Sequence, residues 1–311
     1  MQVLVEGAPR RIAVPEPGSY YAFPDVCRLK GRSLLCVFYA GYGHVSLHTE
    51  KAPKGGRIVA MRSDDDGGTW SAPWTAIDTP ADDRDPSICR LPSGELLCTF
   101  FTYSGPDVYD TYLARSKDDG RTWSEPECIL PSFATSTPIR RLRSGRLVLP
   151  VYRVDGQNKR AYAAVCLSDD RGRTWRSPRP IGLGYGKTLD ETDVYERRDG
   201  TLLAISREVM ASSESKDSGA TWSTPRPLGF PGHCPCLHRT LSGVLLLAHR
   251  LPGTALHFSE DEGRTWRGPV AIDSVIGAYP SLVALRDGRT LCVYYEEGTG
   301  SGIRAATLRV E

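Results

Sequence analysis

The chain has 311 residues, with 39 Lys and Arg against 37 Asp and Glu and a formal net charge of +2. The basic residues are scattered, so the footprint of a nucleic-acid-binding domain is excluded, and no apolar stretch approaches the length of a membrane-crossing helix. The opening segment MQVLVEGAPRR has no charged region followed by a long apolar run, so no secretory signal is read and a cytoplasmic home is expected.

In chain order, the first recurring unit is an apolar run behind a turn glycine. Gly31 is followed by LLCVFY, Gly94 by LLCTFF, Gly145 by LVLPVY, Gly200 by LLAISR, Gly243 by LLLAHR and Gly288 by TLCVYY. Runs this short, rich in branched and aromatic residues and bounded by Gly and Pro, read as strands. A second unit interleaves with the first: SDDDGGTW at 63–70, SKDDGRTW at 116–123, SDDRGRTW at 168–175, SKDSGATW at 215–222 and SEDEGRTW at 259–266. The aspartates of this S-x-D-x-G-x-T-W pattern suit a turn in which a carboxylate accepts amide hydrogen bonds. The following glycine supplies a positive φ, and the tryptophan supplies a large ring to pack between strands. These are Asp-box staples, structural rather than catalytic. Start-to-start spacings of 53, 52, 47 and 44 residues are those of propeller blades. The expected fold is therefore all-β: one domain over residues 1–311, a six-bladed β-propeller of four-stranded antiparallel blades. The last blade has no Asp-box of its own, and segment 2–14 is expected to supply its outer strand and close the ring.

Aligning the six blades on their glycines exposes what differs between them. At the end of each apolar run stand Tyr39, Phe101, Tyr152, Arg207, Arg250 and Tyr295. An arginine there is costly unless it is paired or faces a polar cavity. Near the start of each innermost strand a proline recurs (Pro24, Pro86, Pro138, Pro235, Pro280), with Thr192 in the fourth blade. The residues before it are Phe23, Asp85, Thr137, Glu191, Cys234 and Tyr279; one earlier are Ala22, Arg84, Ser136, Asp190, His233 and Ala278. Innermost strands surround the propeller axis, so Arg84, Asp85, Glu191, Arg207, Arg250 and Tyr279 are expected to meet at one mouth of the central channel. Convergent charged and phenolic groups in a concavity make a candidate site. A solvated rim of internal salt bridges is the plainer alternative.

With its Asp-boxes and blade order, the whole chain resembles the sialidase (neuraminidase) superfamily. The segment ETDVYERRDGTLLAISR, from Glu191 to Arg207, is similar to a family segment in which Glu begins one blade and Arg ends its next strand. Tyr279 in GAYPSLVAL stands where the family has its nucleophile, and Glu296 in VYYEEG resembles the acidic residue that follows it. Arg250 in LLLAHR matches another arginine of the family's triad. The resemblance implies a glycoside hydrolase acting on a terminal acidic sugar, with Tyr279 as nucleophile, Glu191 as its base, and Arg207 and Arg250 as the carboxylate clamp. A neutral tyrosine avoids the repulsion that a carboxylate nucleophile would meet at an acidic anomeric centre, and guanidinium groups hold carboxylates by a planar fork.

The chain departs from that pattern twice. Ala22 stands where the family has its first triad arginine, and the loop AGYGHVSLHTEKAPKGG contains no aspartate to act as general acid. Among His44, His48 and Glu50 in that loop, His44 is the first candidate for the proton donor; Arg84 is a candidate to restore part of the clamp, and Arg153 is a candidate to reach the mouth as a substrate-binding residue. Two other readings stay open: another carbohydrate-active enzyme on this fold, such as a lyase or a non-sialic glycosidase using His44 and Tyr279, and a propeller that only binds glycan. The nine cysteines read mainly as small buried hydrophobes, and the Cys234-x-Cys236 spacing is poor for a metal. No cofactor or metal is expected, no nucleic-acid or membrane partner, and the oligomeric state is left open.

Overall fold

A computed structural model describes residues 1–49, 54–105, 108–155, 160–182, 185–207, 210–251, 253–298 and 301–311. These form six four-stranded antiparallel sheets and, among the described residues, no helix. The innermost strands, in blade order, are Tyr20–Arg28, Asp82–Arg90, Arg140–Arg141, Thr192–Glu196, His233–Arg239 and Gly277–Ala284. The sixth blade is completed from the other end of the chain. Strand Val3–Ala13 pairs with Ile303–Val310, with Val3 opposite Val310 and Ala13 opposite Ile303. The sixth blade is thus completed by hydrogen bonds between the two ends of the chain, which closes the ring.

The apolar runs form the second strand of each blade, and both their faces are buried because blades stack face to face. In Leu34–Gly41, Leu35 and Val37 pack with Ile88, Leu96 and Phe100 of the second blade. Leu34, Cys36 and Phe38 pack instead with Val283, Leu291 and Val293 of the sixth. Alternation along a strand directs successive side chains to opposite faces, so a strand between two neighbours must be apolar throughout. The core is accordingly six wedges between blades, and the polar site is left to the axis and its mouth.

The Asp-box turns close as the residue types require. Asp65 accepts from Thr69 N (2.8 Å), Thr69 Oγ1 (2.8 Å) and Ser63 Oγ (2.8 Å), while Gly67 N donates to Ser63 Oγ (2.8 Å). The residue before the glycine also takes a positive φ in every box: Asp66, Asp119, Arg171, Ser218 and Glu262. Each turn docks on the preceding blade. A Cβ at Gly120 would run into Leu35, and one at Gly219 would press on Leu167 at 3.1 Å.

Candidate functional site

The side chains at the mouth are aimed by a repeated backbone irregularity. Phe23, Asp85, Cys234 and Tyr279 all have positive φ, at 52°, 48°, 54° and 49°. The pairing register shifts at the same place in each of the four blades, for example between Ala278 and Ser281. Such a bulge sets two residues against one and re-aims a side chain. Thr137 and Glu191 reach the same ring from just ahead of their short inner strands, without a positive φ. Together the six residues line the axial cavity, along with the prolines that follow five of them.

Within this ring, Tyr279 Oη donates a short hydrogen bond to Glu191 Oε1, across 88 residues of sequence. The same oxygen accepts from Arg207 Nη1 at 2.7 Å, and Arg207 Nε lies 3.8 Å from Asp190 Oδ1. Glu191 is only 4% exposed, whereas Tyr279 and Arg207 are half-buried. The phenol therefore faces the opening with the carboxylate behind it. Burial, then the charges of Glu191 and Asp85, push the Tyr279 pKa well above its ordinary value. The phenol keeps its proton at rest, and the natural acceptor is already in contact with it.

Arg250 lies in the same mouth, donating to Glu297 Oε2 (2.8 Å) with Nη2 3.3 Å from His233 Nδ1. Asp85, 3% exposed, accepts from Ser136 Oγ at 2.7 Å. Burial, and the negative charges of Glu191 and Asp82 working against Arg84, push its pKa up to about 7. His44 stands exposed at the rim, its ring edge-on to Phe23 (centroids 5.2 Å apart) and its Nδ1 3.2 Å from Tyr20 Oη. Burial of part of the ring, then the charge of Arg84, lower its pKa.

Three expectations change. Glu296 does not face the mouth: it pairs with Arg11 (3.0 Å) and Arg304 (3.2 Å) on the outer side of the sixth blade, and Glu297 faces Arg250 instead. Arg153 is exposed, and the preceding Tyr152 is the residue of that strand turned to the site, 3.4 Å from Ser136 Oγ, as alternation demands. Arg84 is buried rather than presented to the opening. Its guanidinium sits over the rings of Phe23 (5.2 Å), Tyr39 (5.7 Å) and Phe101 (5.7 Å) and donates to the His44 carbonyl. Ala22 is fully buried among the aromatic residues of the first and sixth blades. His48 lies in the described part of the loop, while Glu50 lies outside the described residues. Sequence reasoning passed over Glu297 and Asp82, although Asp82 stands two residues before Arg84 and so on the same face of its strand.

Comparison with known proteins gives a consistent picture. The family model for the BNR repeat-like domain matches residues 84–293. A sialidase from Micromonospora viridifaciens is 30% identical over an alignment of 199 residues that covers 53% of this chain and 30% of that protein; the chain thus matches less than a third of the relative's length. Among solved structures, a protein of unknown function from Dyadobacter fermentans superposes with a TM-score of 0.84 at 21% identity, covering 97% of this chain and 99% of the other. The Hadza microbial sialidase Hz136 superposes at 0.75 and 22% identity, over 92% of this chain and 65% of its own. The Trypanosoma rangeli sialidase in complex with sialic acid does so at 0.71 and 17%, over 99% and 58%. At these identities the structural likenesses establish the fold.

Proposed function

Since the chain belongs to the BNR repeat-like domain family, we propose that it is a glycoside hydrolase that releases a terminal acidic sugar, working from the mouth of its propeller. The observation that carries this reading is the half-buried Tyr279 phenol resting on the buried Glu191 carboxylate, with Arg207 on the same oxygen. Tyr39 and Tyr294 also rest on cation-paired carboxylates, Asp82 and Asp273, but both are fully buried, whereas Tyr279 is partly exposed and lines the axial cavity.

Tyr279 Oη attacks the anomeric carbon as its proton passes to Glu191 Oε1, and the glycosidic oxygen leaves with a proton from His44. Water then attacks the same carbon and gives a proton to the now neutral His44. Glu191 returns its proton to Tyr279 Oη as the tyrosyl bond breaks. Two inverting displacements, from opposite faces of the anomeric carbon, retain its configuration overall. Arg207 commits one N–H to Glu191, and Arg250 engages Glu297 and His233. Each guanidinium has five N–H donors, so both keep donors for the carboxylate of the sugar.

The test is hydrolysis of a panel of aryl glycosides carrying ulosonic, uronic and neutral sugars. Release from an acidic member, absent in Tyr279→Phe, is the expected result. Near-normal turnover by Tyr279→Phe would remove tyrosine as the nucleophile, and failure to release any sugar would remove the hydrolase reading.

A further inference from the structure

Asp82 is a buried carboxylate that meets both described ends, 42–49 and 54–56, of the segment between the second and third strands of the first blade. Its Oδ1 accepts from Tyr39 Oη (2.8 Å) and from Gly56 N (2.9 Å), and its Oδ2 accepts from Ser46 N (3.1 Å) and lies 3.5 Å from Arg84 Nη1. Ser46 Oγ in turn accepts from Tyr42 N (2.9 Å) and Gly43 N (3.2 Å). A neighbouring blade thus reaches across to satisfy amides at both ends of the loop.

The packing there leaves no room for a side chain. A Cβ on Gly55 would sit 2.7 Å from Asp82 N and Ser46 O, and one on Gly56 would overlap Tyr39 and Asp82. Arg84 completes the arrangement from below. It is buried against four aromatic rings, those of Phe23, Tyr39, Phe101 and Tyr103, is anchored by Asp82, and donates to the carbonyl of His44 itself. The imidazole is then steadied by Tyr20 Oη on Nδ1 and by the edge contact with Phe23. That leaves Nε2 as the nitrogen which Tyr20 does not engage.

We propose that Asp82 and Arg84 are positioning residues: they pin the glycine-rich loop and hold His44 over the mouth, and Arg84 does not touch the sugar. The inference rests on the hydrolase reading for the purpose of His44, but not for the positioning itself. A buried, charge-paired scaffold is the way to hold a proton-transfer group within the small tolerance that catalysis allows, since a misplacement of about 1 Å can cost about 10²-fold.

Two measurements test it separately. In the first, phenyl and dinitrophenyl glycosides of whichever sugar the panel identifies are compared in Arg84→Met, in the milder Arg84→Lys, and in His44→Ala with and without Arg84→Met. Arg84→Met should slow the phenyl glycoside by about 10²-fold with little change in KM, and should spare the activated one, which needs no proton donor. In the His44→Ala background it should add nothing. A further loss there, or a KM increase confined to acidic sugars, would mean that Arg84 contacts substrate and would overturn the proposal.

The second measurement needs no turnover. The His44 imidazole, assigned by its loss in His44→Gln, is titrated by NMR in the wild type, Arg84→Met and Asp82→Asn. The groups facing it are Tyr20, Phe23, Arg84, Asp82, Arg250 and Glu297. Loss of the Arg84 cation and of the loop anchor should raise its titration midpoint in Arg84→Met, with a changed resonance position in both variants. Identical curves and positions in all three proteins would refute the positioning role, whether or not the protein hydrolyses any glycoside.

Discussion

Replacing Glu191 by Gln sets two effects of one charge against each other. Gln keeps the shape and an acceptor oxygen for Tyr279 and Arg207, but removes the negative charge. Burial and then Glu191 hold the Tyr279 pKa up, so the phenol becomes more acidic in the variant, and as an isolated nucleophile it should improve. The proton, however, loses its acceptor during attack. A positioned general base contributes about 10²–10⁴-fold, so kcat should fall by about 10³-fold, or about 4 kcal/mol of barrier. The fold should survive. Arg207 is partly exposed and retains Asp190 at 3.8 Å, so the loss should stay well below the about 3–5 kcal/mol of a fully buried pair broken in half. The assay is steady-state turnover of an activated aryl glycoside, where leaving-group protonation does not matter, alongside a spectrophotometric titration for tyrosinate. A lowered tyrosine midpoint together with lost turnover is the expected pair of results. Turnover within tenfold of wild type would refute Glu191 as the base, however the phenol titrates.

Arg207→Ala should weaken binding of acidic sugars by about 10–10²-fold, the worth of one charge-assisted bond, and neutral sugars far less; equal losses in calorimetric titrations would argue against a clamp. The Asp-boxes should govern stability in acid. Hydrogen bonds from the Thr69 amide and the Ser63 hydroxyl hold Asp65 at about 2 against an ordinary 3.8, so its contribution is complete above about pH 4 and is lost as pH falls through 2. Thermal melts should drop across that window, and less so in Asp65→Asn, which starts lower. His249 acts over a higher range: burial and then neighbouring His257 push it down to about 4 from 6.5, and its Nε2 lies 2.8 Å from His257 Nδ1. Protonation therefore favours the unfolded chain, and stability should decline as pH falls from 6.5 to 4; a slope unchanged in His249→Gln would show that this pair is not its source.

The fold was legible because two independent repeats had to agree. Asp-boxes alone would mark five blades, whereas the turn glycines mark six, and the difference locates the blade completed by Val3–Ala13. The ring position of Tyr279, Glu191 and Asp85 was legible for the same reason, since equivalent residues of equivalent strands must surround the axis. What could not be read was side-chain direction where a strand ends. Tyr295 is buried and Glu296 points outward, but Glu297 has left the strand and is free of its alternation. Arg153 follows the same rule from the opposite side, because it alternates with Tyr152. Arg84 was placed at the right position of the right blade, yet its role depends on a carboxylate two residues away and on a loop anchored from another blade. Neither follows from its alignment with Ala22.

The positive φ at the mouth bears on how such a site arises. Strained backbone often gathers at functional positions, and the role proposed for Tyr279 would fit that pattern. Phe23 and Cys234 share the same bulge with φ of 52° and 54°, yet one side chain is a hydrocarbon under His44 and the other a buried thiol. The irregularity therefore belongs to the architecture: in four of the six blades it turns one side chain toward the axis, whatever that residue is. Chemistry enters only through the residue type installed there. In this chain a phenol in the sixth blade meets a carboxylate that the fourth blade presents without any bulge. Substituting Phe23 or Cys234 should thus perturb packing around the ring, while substituting Tyr279 or Glu191 at the same level of the axis should remove the reaction.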